Sequence, residues 1–296
     1  MNLKNQITLA MFKTAWAVPR FMPEPLQRGL YWGIASIGWF LRTPGVKRLQ
    51  FNMSRVSGSN YWSFQSVSLT WRAVHSYFKY WQQLFAMQTK DESYVLQNAL
   101  TENREVLDVA LLSKRGALIV ATHSGNWDLA GAWLGVTYKN VVTVAERLEP
   151  IELFDMFVNA RKRFNLKIYP HTSNDSIIEI LQNELSQNNI VGLVADRTLS
   201  KRGIPVKLFG YECKLPAGPY AIAQLNDLDI IPGAIWFDGK KTRMLLFTPI
   251  ESSGKSAEDV MQEVACAFEE IISLHPENWH MFQQVWPDHP KKWGGR

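Results

Sequence analysis

From residue 116 onward, short apolar runs alternate with amphipathic stretches of about ten to fifteen residues, and few folds accept that pattern. Expected strands lie at 116–121, 141–145, 167–169, 190–195, 230–237 and 243–249. Expected helices lie at 126–136, 151–164, 174–187, 217–226 and 256–274, and the stretch between residues 195 and 217 reads as irregular. Asp238-Gly239 marks a turn between the last two strands. Strands joined by helices of this length specify an α/β fold with a mostly parallel sheet covered on both faces. In such sheets, sites form beyond the carboxyl ends of the strands. His123, Glu146 and Asp196 each stand just past such an end, which points to a shared site.

The first third reads differently. Helices are expected at 3–18, 26–42, 44–56, 61–87, 92–98 and 102–113. Leu3, Ile7, Ala10, Met11, Ala15 and Val18 share one face of the first, and Pro19 is expected to end it. The second is apolar on most faces and rich in aromatics, and lies between Arg28 and Arg42. That pattern fits an interfacial anchor or an equally plausible buried core helix. Charge favours the former. Residues 1–60 hold eight basic residues against Glu24, or +7, so the rest of the chain carries −2 of the +5 total. Such an end suits an anionic surface. Nucleic acid is disfavoured, because the aromatics are embedded among aliphatic residues instead of alternating with basic ones. The longest uncharged run near the start, from Gly29 to Leu41, falls short of the roughly twenty residues a membrane span needs. It lies too far into the chain for a cleaved signal peptide and lacks a small-residue cleavage site. Two cysteines, Cys213 and Cys266, give neither a metal motif nor a disulfide framework, so a reducing compartment is expected.

Chemistry concentrates in a few places. His123 and Asp128 are five residues apart across a strand-to-helix break, so a partnership needs His123 on the loop and Asp128 on the first turn of the helix. A carboxylate in that position would orient the imidazole as a general base. Taken alone, Asp128 fits slightly better as a charge at its own helix N-terminus, and the groups that follow reverse that balance. Glu146, Arg147 and Arg161 form a second group, which reads as site residues or as a solvated strand end with surface pairs. Asp196-Arg197 emerges from an apolar strand, where a buried charged pair is costly unless used. Arg197, Lys201, Arg202 and Lys207 could together hold a phosphate, or form a basic loop in water. The segment from His275 to Met281 closes the last helix, and His280 within it could line a pocket. Ser124 follows His123, but no Gly-x-Ser-x-Gly elbow exists, so a serine nucleophile is disfavoured. The six histidines give no zinc motif, and no phosphate-binding glycine loop is present.

Five blocks in order carry a resemblance. They are His-x-x-x-x-Asp at 123–128, Ala-Glu-Arg-Leu at 145–148, Ala-Asp-Arg-Thr at 195–198, Leu-Phe-Gly with Leu-Pro-Ala-Gly-Pro at 208–219, and His-Pro-Glu-Asn-Trp-His-Met at 275–281. Together they resemble the lysophospholipid acyltransferase superfamily and its lipid A acyltransferase-like branch, nearest the actinobacterial phosphatidylinositol mannoside acyltransferases. The resemblance implies a membrane-associating helical part at 1–114 and an acyltransferase core at 115–296, continuous as one domain. It implies transfer of an acyl group from acyl-coenzyme A, palmitoyl-coenzyme A above all, to a sugar hydroxyl of an anionic glycophospholipid. No cofactor beyond that co-substrate, no metal and no nucleic acid is implied. His123 and Asp128 would be catalytic; Glu146, Arg161, Asp196, Arg197 and His280 would bind substrate. The aromatic helices would supply an acyl tunnel. The location implied is peripheral, on the cytoplasmic face of the bacterial cell membrane. Other readings are the same transfer to lipid A or another lysolipid, and a non-catalytic membrane module that binds acyl groups or glycolipid.

Overall fold

A parallel sheet needs crossover helices, and the chain supplies them in the expected order. The computed structural model describes residues 3–171, 177–198 and 203–290. Its elements in chain order are α1 (Leu3–Phe21), α2 (Glu24–Phe40), α3 (Pro44–Val56), α4 (Phe64–Ala86), α5 (Glu92–Asn98), β1 (Ala99–Glu102) and α6 (Glu105–Leu112). There follow β2 (Ala117–Ala121), α7 (Trp127–Tyr138), β3 (Val141–Glu146), α8 (Ile151–Lys162), β4 (Leu166–His171), α9 (Ile177–Ser186) and β5 (Ile190–Val194). The chain continues through β6 (Ile204–Leu208), β7 (Tyr211–Leu215), α10 (Gly218–Asn226), β8 (Ile230–Asp238), β9 (Lys241–Leu246) and α11 (Ala257–Leu274). The first residues of the helix expected at 174–187 lie outside the described residues.

Seven strands form one sheet in the order β1-β9-β8-β2-β5-β3-β4. All neighbours are parallel except the β8–β9 hairpin. Side chains alternate between the faces. Leu118, Val120, Val142 and Val191 pack with Leu181, Ile222, Val264 and Phe268 of α9, α10 and α11. Ile119, Ala121, Val141 and Ile190 face α7, through Leu129, Ala130 and Leu134. The first cluster continues without a break into Leu49, Met53, Leu69 and Ala73 of α3 and α4.

Two elements escape the sequence reading. Strand β1 has only four residues between two helices, too short for its own signal, and exists by pairing with β9. The stretch read as irregular contains the β6–β7 hairpin, whose alternation of buried Ile204, Val206 and Leu208 packs against α11. Its turn, Phe209-Gly210, has both residues at positive φ, the mirror-image turn that suits strand twist.

At the amino end, α1 runs two residues beyond Pro19, and α2 starts at Glu24 with Pro25 in its first turn, where a missing N–H costs nothing. Helix α1 exposes Leu3, Ile7 and Met11 of its apolar face, whereas Ala15 packs inward. Its buried side is Leu9, with Phe12 and Trp16 set edge-on against Phe157 and Phe85. Helix α2 likewise exposes Leu26, Ile37 and Phe40 and buries Tyr31 and Ala35, so it is not a core helix. Among the described residues, no helix is long and apolar enough to cross a membrane.

Candidate active site

Strand register decides the partner of His123. Strands β2 and β5 are parallel neighbours with Ala121 opposite Val194, and Ala195 N donates to Ala121 O at 2.9 Å. Two residues further on, both chains leave the sheet together, which sets His123 opposite Asp196. The Asp196 carboxylate accepts from His123 Nδ1 at 2.5 Å, from the His123 backbone N–H at 2.8 Å and from the Trp279 indole at 2.7 Å. Burial alone would raise the pKa of this fully buried carboxyl. The His123 charge and these hydrogen bonds more than offset it, and the group is held below its usual range. A carboxylate only accepts, so Nδ1 carries a proton, and in the neutral ring the lone pair is therefore on Nε2. Nε2 has no protein hydrogen-bond partner among the described residues, and a quarter of the His123 side chain is exposed.

The loop holding His123 is fastened on its other side. His123 O accepts from His280 N at 2.8 Å, Gly125 N donates to Asn278 O at 3.0 Å, and Ser124 bridges to Trp279. Gly125 has φ +58°, and a Cβ there would lie 2.8 Å from Trp236 Cα, so only glycine lets the loop pass β8. Asn126 then caps α7 by accepting from Leu129 N, and its amide donates to Gln83 of α4.

Asp128 does not meet His123, and this corrects the expected dyad. On the first turn of α7 its buried carboxylate turns towards α4 and α8, where the Arg161 guanidinium binds both oxygens and Tyr80 donates to Oδ2 at 2.7 Å. Burial works against the Arg161 charge, but Asp128 and Tyr80 outweigh it and raise its pKa. Burial and the neighbouring Asp128 likewise push the Tyr80 hydroxyl well above its normal value. The ion pair therefore ties α7 to α8 and α4 beneath the site.

A cavity of about 460 Å³ opens at His123 and runs between the sheet and α7. Glu146, Arg161 and Arg197 stand with His123 at its polar end, whereas Leu134, Val141 and Leu166 close its far end. The expected tunnel walls are thus only partly right. Helix α4 contributes Tyr80, Trp81 and Leu84, but most of the lining comes from the sheet and α7. Exposed Glu146 lies 3.5 Å from Arg197, which also bonds Gln283. Lys201 and Arg202 lie outside the described residues. Lys207 is on β6 beside α11, away from this cavity, so it does not join Arg197 in a phosphate site.

The expected substrate contact of His280 is also replaced. Its side chain is buried among Tyr77, Tyr80, Trp127 and Phe237, does not line the cavity, and bonds Ser76 Oγ through Nε2 at 2.9 Å. Burial and the nearby His123 push its pKa down to about 3. Above pH 6.5 the folded and unfolded chains both hold this ring neutral. Below that, the unfolded chain takes up the proton first, so stability is lost at about 1.4 kcal/mol per pH unit until about pH 3. His280→Asn is therefore expected to shift the acid unfolding midpoint, followed by circular dichroism, to lower pH relative to its neutral-pH stability. An unshifted midpoint would refute the assignment.

Of the site residues read from sequence, His123, Asp196, Glu146, Arg161 and Arg197 come together, with Asp128 one layer beneath. Tyr80 and the Trp279 indole were not anticipated in their roles. Tyr80 is one aromatic among many in α4, and no local pattern sets it apart; Trp279 sits inside a recognised block, which could have flagged it. Comparison with known proteins identifies the family. The profile of the family described as "Bacterial lipid A biosynthesis acyltransferase" matches residues 3–287. The phosphatidylinositol mannoside acyltransferase of Mycolicibacterium smegmatis is 31% identical over 290 residues, covering 96% of this chain and 93% of that protein. The protein of the same name from Mycobacterium tuberculosis is 28% identical over 278 residues, covering 93% and 87%. The match over residues 3–287, in a chain that sets a His–Asp pair at the mouth of an apolar cavity, makes this protein a member of the bacterial lipid A biosynthesis acyltransferase family, an acyltransferase of the lipid A and phosphatidylinositol mannoside type.

Proposed function

We propose that the chain moves a fatty acyl group from acyl-coenzyme A to a sugar hydroxyl of a phosphatidylinositol mannoside at a membrane surface. The observation that carries this reading is His123, with Nδ1 fixed by Asp196 and Nε2 without a partner among the described residues, at the mouth of an apolar cavity. His123 Nε2 takes the proton of the acceptor hydroxyl as its oxygen adds to the thioester carbonyl. Asp196 holds the imidazolium that forms. The tetrahedral adduct then collapses, the C–S bond breaks, and the proton passes from His123 to the departing thiolate. A thioester is already activated, so the transfer needs neither a covalent enzyme intermediate nor a bound cofactor. Arg161 and Arg197, with Glu146 across the mouth, supply charge for an anionic headgroup and hydroxyls. His280 acts as a positioning residue through its bond to the His123 carbonyl.

Docking to lipid rests on the unpacked faces of α1 and α2, where Leu3, Ile7, Met11, Ile37 and Phe40 lie exposed, in a part of the chain rich in cations. Such a face inserts shallowly and peripherally. An acyl-coenzyme A donor puts the reaction on the cytoplasmic side of the bacterial cell membrane. The test offers palmitoyl-coenzyme A with purified phosphatidylinositol mannosides, a lipid A precursor or a lysophospholipid in anionic vesicles, and follows the acylated product by mass spectrometry. Acylated mannoside is the expected product. Product with the lipid A precursor alone would replace the acceptor, and no acylated product from any of them would leave a binding module.

A further inference from the structure

The cavity face of the sheet can be read row by row from the strand register. Nearest the mouth, Ala121 of β2 pairs with Val194 of β5, and Ala145 of β3 lies in the same row. One row deeper, Ile119, Gly192 and Thr143 are paired side by side. The row below is Ala117, Ile190 and Val141, and Val141 with Leu134 and Leu166 closes the cavity. Gly192 therefore stands in the middle row, between two filled neighbours and above a filled floor, with no side chain of its own.

The space above Gly192 is empty. A Cβ built on it would meet no atom within 4 Å, and Gly192 itself lines the cavity. Other glycines along the cavity have closer neighbours. On Gly131 of α7, a Cβ would lie 2.9 Å from a Leu166 methyl, and on Gly233 of β8, 3.5 Å from Ile119. Gly192 has no positive φ that would require glycine for backbone reasons. A glycine inside a strand weakens it and often marks close approach of another group. Here the approach is from the cavity side. Four residues separate Ile119 from His123, a depth of about 13 Å at about 3.3 Å per strand residue. An octanoyl chain with its carbonyl at His123 stops short of that depth, and a palmitoyl chain passes it.

We propose that Gly192 is the specificity-determining residue for acyl-chain length: its missing side chain joins the upper cavity to the lower, so the site takes long-chain thioesters. This rests on the acyl-transfer reading of the cavity. A bulky side chain at 192 would divide the channel, leaving only the part next to His123 for the chain.

The experiment compares wild type with Gly192→Leu and Gly192→Ala, using palmitoyl- and octanoyl-coenzyme A. Release of coenzyme A thiol is read with and without phosphatidylinositol mannoside. Gly192→Leu is expected to lower the palmitoyl-to-octanoyl rate ratio by about tenfold or more, equivalent to about two methylenes shut out of an apolar site. Octanoyl turnover should persist, which shows that the variant folds. An unchanged ratio overturns the role of Gly192. Should Gly192→Leu turn over neither thioester, Gly192→Ala decides: a reduced ratio supports the role, and an unchanged one overturns it. Wild type inactive with both thioesters overturns the acyl-transfer reading itself, a result distinct from an active wild type with an unaltered variant ratio.

Discussion

Asp196→Asn is expected to fold and bind lipid normally yet lose about 10²–10⁴-fold in acyl-transfer rate, as is His123→Ala. The two effects have one cause. The carboxylate fixes the Nδ1-protonated tautomer and faces the positive charge that the ring acquires in the transition state. An asparagine can present either its oxygen or its NH2 to Nδ1. The second choice reverses the tautomer and places the proton on Nε2, where a lone pair is needed. The loss should fall on kcat with KM little changed, because neither residue holds the acyl chain in the ground state. Combining the variants should cost no more than His123→Ala alone, since Asp196 acts through the ring. Near-normal turnover by Asp196→Asn, with the fold checked by circular dichroism, would sink the general-base assignment.

Asp128→Ala is expected to act first on stability. It leaves the Arg161 charge and the Tyr80 hydroxyl buried without their acceptor. Breaking a buried ion pair from one side costs about 3–5 kcal/mol, which for a domain of this size lowers Tm by roughly 10 °C. Removing Arg161 together with Asp128 should cost less than the sum of the single losses, because the double variant strands no charge. Thermal denaturation of the two single variants and the double variant tests this. Strict additivity would show that the pair is not coupled as its geometry demands. The contrast with Asp196→Asn also separates Asp128, which the sequence paired with His123, from Asp196, which it assigned to the substrate. One variant should stay folded and slow; the other should lose structure as temperature rises, with activity at low temperature reduced less than in Asp196→Asn.

Local signals carried far in this chain. A glycine turn after an apolar strand puts His123 on a loop, and the Asn126 cap starts α7 where expected. Helix-length spacers between apolar runs specify a parallel sheet, and residues such as Glu146 and Asp196 fall at strand ends for that reason. The β6–β7 hairpin shows a missed signal: its alternation was present, but the segment lay between a stronger strand pattern and a stronger helix pattern. The faces of α1 and α2 show a different limit. Periodicity finds an apolar face, but both packing against protein and exposure to a lipid surface produce one, and only the fold shows which side is left open.

The sequence alone determined that His123 and Asp196 stand at strand ends of one sheet and that Asp128 follows on the next helix, where it was expected to hold His123. Chain proximity favoured Asp128, five residues away. Tertiary structure chose Asp196, seventy-three residues away, because β5 inserts beside β2 and its register carries Asp196 to Nδ1, while α7 turns Asp128 into the grip of Arg161. Strand order is set by the burial of whole faces, and a pair of residues records nothing of it until the sheet is assembled.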